Sequence, residues 1–380
     1  MVASMLYTTR TMKPFEPEGL PIGSLAWTEL IPLIGRANRA IAGYEGVLYG
    51  VPNPNVLLSP LTTQEAVLSS RIEGTQAELE DVYKFEAGEE VPDRERRYDI
   101  QEIVNYRKAL RRAEKLLKNK PLCLNTLLDL HSVLLGSVRG HNKARGRFRT
   151  VQNWIGPENT PIEQAQFVPP TPLRVMEHLT NWENYYHAEE RDPLVQLAIV
   201  HAQFETIHPF IDGNGRIGRM LIPLFLYEKK LLSKPNFYLS AYLEAHRDEY
   251  VQRLRALGRP GSWTQWIVFF LTAIDTQARD NSAQAKAIQD LYERLKRQII
   301  DLTRSQYAVP LLDRLFVSPV FRSSDLTTRK DMPSTPMVMS MLRNLKDAGV
   351  LKVVREGGGS RPQILAVPDL LNLCEGRKVY

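Results

Sequence analysis

The chain has 380 residues, 43% of them hydrophobic and 24% charged, with a net charge of +6. These are ordinary globular proportions over a length sufficient for two or three domains, and they exclude a fibrous or disordered chain. Two cysteines, Cys123 and Cys374, exclude a disulfide framework, and the apolar stretch around Trp266 to Ile274 is too short to span a bilayer. No basic-then-apolar leader pattern opens the chain, so a cytoplasmic protein is expected. The modest positive charge does not by itself imply nucleic acid.

Residues 1 to about 55 carry scattered prolines, with a helix expected from Trp27 to Ala42. Leu68, Ile72, Leu79 and Val82 recur near helical spacing and read as one amphipathic helix, on which Ser69 and Glu73 share a face. Gly74 inside such a helix costs about 1 kcal/mol relative to Ala, which suggests that another group approaches closely there. Charged and helical stretches follow at Asp93 to Lys118 and Leu124 to Leu135. Gly146 to Pro157 roughly alternates apolar and polar residues, and Gln166-Phe167-Val168 leads back to Pro169-Pro170, which reads as a hairpin. Asp192-Pro193 starts a helix that runs to Ile207 and delivers His208 at its end. Arg216 to Tyr227 reads as another helix, and Ser262 to Ile300 is helical nearly throughout.

The last eighty residues have a different pattern. Leu311, Leu312, Leu315 and Phe316 form one apolar face. Ser324-Asp325 starts a second short helix, and Thr335-Pro336 a third, stopped at Gly349. Val350 to Val354, a Gly357-Gly358-Gly359 tip and Ile364 to Val367 complete a hairpin. Three helices and a hairpin resemble a winged helix. This stretch holds 12 Lys and Arg against 8 Asp and Glu. Arg329, Lys330, Arg343, Arg355 and Arg361 are its basic candidates for phosphate contacts, without a convincing set of base readers, so DNA binding and docking or dimerisation stay equally open. The expected architecture is mainly α: an N-terminal helical region (1–95), a helical core with a β-hairpin flap (96–290), and a C-terminal winged-helix-like domain (300–380).

The chemistry concentrates in His208-Pro209-Phe210-Ile211-Asp212-Gly213-Asn214-Gly215-Arg216-Ile217-Gly218-Arg219. Pro209 biases His208 toward extended backbone. Asp212-Gly213-Asn214-Gly215 reads as a turn whose glycines let backbone N–H groups approach an anion, at the N-terminus of the helix that follows. Arg216 and Arg219, three apart, point the same way and offer forked donors to phosphate. Asp212 is an oxygen ligand suited to Mg²⁺. A calcium loop starting at Asp212 would need glycine at position 217 and glutamate at position 223, where this chain has Ile217 and Pro223. A glycine-rich turn alone is most often only a turn; here a base, a carboxylate and two arginines coincide with it.

This run resembles the signature of the Fic family, His-Pro-Phe-x-Asp/Glu-Gly-Asn-Gly-Arg-x-x-Arg, at every defined position. Ser69-Ser70-Arg71-Ile72-Glu73-Gly74 is similar to the family's inhibitory signature, Ser/Thr-x-x-x-Glu-Gly/Asn. The resemblance implies transfer of AMP from ATP, with Mg²⁺, to a Ser, Thr or Tyr hydroxyl of a protein, the chain itself included, with release of pyrophosphate. It implies His208 as the base and Asp212 as the metal ligand. Gly213, Asn214, Gly215 and Arg216 would form the anion hole, and Arg219 would hold the γ-phosphate. Glu73, with Ser69 on the same helix, would occupy the γ-phosphate position by pairing with Arg219. The hairpin would cover the nucleotide with Asn153, Trp154, Ile155 and Gly156 and hold the target protein along its edge. Tyr242 or Tyr250 would stack on adenine; half-buried packing is an equally good reading of each. A homodimer is left open. Two alternatives remain: removal of AMP by a water that Glu73 aligns, and a DNA-binding regulator whose core only senses nucleotide.

Overall fold

The computed structural model describes residues 13–136, 144–157, 160–358 and 361–380. The first helix, α1 (Trp27–Gly50), runs past Ala42 because Ile41, Tyr44 and Leu48 continue its buried stripe, which packs along a later helix of the core. A short α2 (Pro54–Leu57) leads into α3 (Ser59–Ile72), and α4 (Leu79–Glu86) follows. The single amphipathic helix expected across Leu68 to Val82 is therefore two. Gly74, at φ +101°, ends the first, and a capping box of Glu78 and Asp81 starts the second. Nothing lies within 4 Å of where a Gly74 Cβ would sit, so the glycine supplies a left-handed backbone and not space for a neighbour.

α5 (Arg94–Leu117) is capped by Asp93, whose side chain accepts from Arg96 N at 2.6 Å. α6 (Leu124–Leu134) packs against it. The expected flap shows no strand among its described residues. Its two arms meet in one antiparallel bridge, Ile155 to Phe167, with Ile155 N donating to Phe167 O at 2.9 Å. Pro157, Pro161, Pro169 and Pro170 remove ladder donors, so the alternation could not extend into a sheet. Positions 158 and 159 of its tip lie outside the described residues.

At the centre are α7 (Pro172–His187), α8 (Pro193–Ile207) and α9 (Asn214–Glu228). The Asp192 carboxylate caps α8 by accepting from Leu194 N and Val195 N at 2.9 and 3.1 Å, and Pro193 fills the first turn. Every residue of α8 from Leu194 to Ile207 is buried, as suits a helix that is apolar nearly all round. α10 (Ser240–Ala245), α11 (Arg247–Ala256) and the 42-residue α12 (Ser262–Thr303) close the core, with α1 lying along α12.

The C-terminal part runs α13 (Ala308–Val317), β1 (Val320–Arg322), α14 (Ser323–Thr327), α15 (Thr335–Asp347), β2 (Lys352–Arg355), β3 (Ile364–Ala366) and α16 (Pro368–Glu375). The expected three helices and hairpin are present, the tip residue Gly359 lying outside the described residues. β1 and α16 were not legible in the pattern. The strands form one antiparallel sheet in the order β1-β3-β2, with Val320 and Lys352 both opposite Ala366. One buried hydrophobic cluster draws on all three expected regions, from Leu20 to Cys374. No helix among the described residues is long and apolar enough to cross a membrane.

Candidate active site

His208 is the C-cap of α8, at φ +50° and ψ +60°. The extended conformation expected from Pro209 is not adopted. A left-handed residue ends the helix instead, and His208 N still donates back to Phe204 O at 3.1 Å. Buried Arg149 holds this geometry from outside the motif. Its Nε donates to His208 O at 2.9 Å and its Nη2 to Pro170 O at 2.6 Å, while its backbone N donates to Pro209 O at 2.9 Å.

The His208 Nδ1 lies 3.3 Å from Glu205 O. A carbonyl only accepts, so Nδ1 carries the proton and Nε2 is the basic nitrogen. Burial pushes the imidazole pKa down to about 4, against the pull of the Glu205 carbonyl and of Glu73. At neutral pH the ring is uncharged and able to take a proton.

The loop from Phe210 to Asn214 is braced internally. Asn214 Oδ1 accepts from Phe210 N at 2.8 Å, and its Nδ2 donates to Phe210 O at 2.9 Å. Asn153 Nδ2 also donates to Phe210 O, at 2.8 Å. Both amides therefore serve the loop's shape. His131, stacked on Phe210, donates from Nε2 to Asp212 O at 3.0 Å and accepts from Gly146 N at 2.9 Å. Gly213 adopts φ +79°, where a Cβ would also press on Leu134.

The two arginines diverge, contrary to the expectation that they point the same way. Arg216 Nη1 donates to Glu102 on α5 at 2.8 Å, and its Nη2 lies 3.4 Å from Asp212 Oδ1. Arg219 turns to α3: its Nε donates to Ser69 Oγ at 2.9 Å, and Nη2 donates to Ser69 O at 2.9 Å and to Glu73 Oε1 at 2.5 Å. The reason is packing: both α5 and α3 contact α9, and each presents a carboxylate to a different arginine. Burial pushes the Glu73 carboxyl upward, but Arg219, helped by Arg216 and His208, outweighs this and holds its pKa below the usual range. The Glu73 carboxylate lies so close to Gly215 that a Cβ there would collide with it.

These groups open onto a cavity of about 800 Å³ lined by Glu73, Ile155, Gly156, Glu205, His208, Gly215, Arg219, Arg247 and Tyr250, among others. That volume suits a nucleotide-sized ligand. Of the flap residues, Ile155 and Gly156 line it. Asn153 turns to Phe210, and Trp154, 41% exposed, donates from Nε1 to Thr160 O at 3.1 Å. Arg255 on α11 donates to the Gln166 side chain and so ties the flap to the far wall. Tyr250 lines the cavity but is buried, with its hydroxyl donating to His201 Nε2 at 3.0 Å and its ring among Trp266 and Phe269. Tyr242 stacks on His246 outside the cavity lining. Among the described residues no group of three or more His, Cys, Asp or Glu could hold a metal. Asp212, 41% exposed at its side chain, offers a single carboxylate.

Two models of one family match this chain: the Fic/DOC family N-terminal model over residues 31–115, and the Fic/DOC family model over residues 121–226, together half of the chain. The chain belongs to the Fic/DOC family. The Fic signature thus sits at the α8–α9 junction, and the second motif lies inside the N-terminal match. The protein adenylyltransferase fic-1 of Caenorhabditis elegans is 31% identical over 148 residues, covering 37% of this chain and 27% of that protein. A probable protein adenylyltransferase of Aquifex aeolicus is 38% identical over 92 residues, covering 23% and 29%. The chain therefore spans less than a third of the length of these curated relatives. The fold is similar to the crystal structure of a Fic family protein from Desulfovibrio desulfuricans, with TM-score 0.58 and 20% identity over 93% of this chain and 98% of that one. A Fic domain containing signaling protein from Bacteroides thetaiotaomicron gives 0.54 at 16% identity, over 67% and 97%.

Glu102, Arg149, His131 and Glu205 escaped the sequence reading. Glu102 and His131 lie far from the motif in sequence, and only packing brings them to it. Glu205 lies three residues before His208, where its charge in an apolar helix was the available signal.

Proposed function

We propose that this protein transfers AMP from ATP to a hydroxyl group of a protein. The observation that carries the reading is His208: uncharged, with its tautomer set by Glu205 O, at a cavity whose far guanidinium is Arg219. His208 Nε2 takes the proton of the incoming hydroxyl. The oxygen forms a bond to the α-phosphorus, the bond from that phosphorus to the bridging oxygen breaks, and pyrophosphate leaves. Arg219 holds the γ-phosphate and so aligns the reaction. One half-exposed carboxylate suits Mg²⁺, which binds through few protein ligands plus substrate phosphates, and Asp212 would hold it. When bound, the ion neutralises phosphate charge. Curated relatives named protein adenylyltransferase support the same activity.

The pair of Glu73 with Arg219 supports an inhibited resting state. A carboxylate at 2.5 Å from Nη2, with Ser69 on Nε and Nη2, occupies donors a γ-phosphate would need. Glu73 and His208 border one cavity, which also favours a second reading: a water placed by Glu73 could remove AMP from a modified protein. The exposed flap side chains Val151 and Trp154 fit a docked protein segment. We also propose a winged-helix role in docking or DNA binding for the C-terminal part. Incubation with α-labelled ATP, followed by mass spectrometry of the chain and of added proteins, tests the main reading. Label on protein supports it; loss of AMP from a pre-modified protein supports the reverse reaction; salt-dependent DNA binding without label would favour a regulator.

A further inference from the structure

The Glu205 carbonyl fixes the His208 tautomer; the Glu205 side chain has no part in the chemistry above, yet faces it. It sits on α8 one turn before His208, is 9% exposed, and lines the cavity with Glu73 and Arg219. Its Oε1 is buried and accepts no hydrogen bond. The carboxyl is wedged against α9 where Gly218 leaves room: a Cβ on Gly218 would collide with Oε1. Glu65 and Glu102, the other glutamates buried among the described residues, are held by neighbours. Glu65 accepts from Ser240 Oγ at 2.6 Å, and Glu102 from Arg216 at 2.8 Å. A buried polar oxygen without a partner is destabilising, so a working state that completes it is favoured.

The charges facing Glu205 come from three sides. Arg219 on α9 favours its ionised form, Glu73 at the end of α3 opposes it, and the Tyr250 hydroxyl on α11 feels it. The neighbouring His208 ring is uncharged at neutral pH. We propose that Glu205 is a nucleotide-binding residue: as the neutral acid it donates a hydrogen bond to an oxygen of the phosphate that Arg219 receives when Glu73 leaves. The inference rests on the adenylyltransferase reading and deepens it. An ionised carboxylate beside Arg219 would repel that phosphate, whereas the acid is a donor. Burial pushes the Glu205 pKa up to about 7, so the neutral form is accessible in the physiological range. Above that pH, binding of a triphosphate takes up a proton.

The test uses the full chain carrying Glu73→Gly and His208→Ala, so that the site is open and nothing turns over. Affinities for ATP and for AMP are measured by calorimetry at pH 6, 7 and 8, with and without Glu205→Gln, which keeps a donor and cannot titrate. The ratio of the two proteins' affinities cancels the nucleotide's own titration. We expect the Glu205 protein to lose ATP affinity from pH 6 to 8 relative to the Gln protein, by up to about tenfold for each pH unit above the point where the free acid ionises. Glu205→Ala should weaken ATP several-fold at pH 6 and leave AMP unchanged. A flat ratio with ATP bound, or equal loss for AMP and ATP, overturns this inference alone. No ATP binding by any of the proteins overturns it together with the proposed function.

Discussion

Arg219 Nη2 donates at 2.5 Å to Glu73 Oε1 and at 2.9 Å to Ser69 O, so one guanidinium, 2% exposed, ties the start of α9 to the end of α3 across 146 residues of sequence. The forked donors a phosphate would use are already engaged by this chain's own carboxylate and carbonyl. Replacing Glu73 with Gly should raise self-modification at least about tenfold, the equivalent of one charge-assisted hydrogen bond released. Adding Arg219→Ala should abolish the gain. Intact mass, read as AMP gained per chain, decides the matter; a folded, ATP-binding Glu73→Gly protein no more active than the parent would sink the pairing as an inhibitory device.

His208→Ala should lower transfer by about 10²–10⁴, the usual contribution of a positioned base, with ATP affinity little changed. Because burial holds the imidazole pKa at about 4, the ring stays uncharged well below the ordinary histidine value of about 6.5. The kcat/KM of Glu73→Gly should therefore not fall between pH 7 and 5.5. A decline centred near 6.5 would show that the base is a solvated histidine. The sign for stability is opposite to that of a salt-bridged histidine: between about 6.5 and 4 the unfolded chain binds a proton that the folded ring excludes, so stability drops as pH falls.

Gly74 is at φ +101° with open space around its Cα. Gly74→Ala should cost about 1–2 kcal/mol from backbone strain alone, without a clash. The midpoint of a denaturant titration reads this directly. Basal self-modification should rise as the end of α3 loosens; an alanine variant as stable as the parent would mean that the turn adapts at no cost.

The chain's C-terminal residues reach back to the segment that carries Glu73. Gln64 Nε2 donates to Cys374 O, Arg377 pairs with Glu78 at 2.7 Å, and the Tyr380 hydroxyl donates to Glu80 at 2.6 Å. Links of this kind near the surface are individually weak. Arg377→Ala with Tyr380→Phe should therefore raise basal transfer about two- to fivefold. The same changes in the Glu73→Gly protein should do nothing further. An equal effect in both backgrounds would show that the tail acts on the site by a route other than α3.

What the sequence by itself determined is the local chemistry. Asp192-Pro193 marks where α8 begins, and the His208 to Arg219 run sets out the histidine, the carboxylate, the turn glycines and the terminal arginine of the proposed site. Capping and turn formation depend on neighbours in the chain, so they can be read there. The Ser69 to Glu73 run also predicted its partner, because the resemblance supplied a relation that spacing cannot. Tertiary structure decided the rest. Arg216 and Arg219 share a helix face by spacing, yet part company because one finds Glu102 on α5 and the other Glu73 at the end of α3. Tyr242 and Tyr250 look alike in sequence, but only Tyr250 reaches the cavity wall, and there its hydroxyl is engaged by His201. Burial and long-range partners set charge states, and those depend on which elements pack together. That is why Glu205, unremarked in the sequence, becomes an unpartnered acid facing the cavity once α8 and α9 are in place.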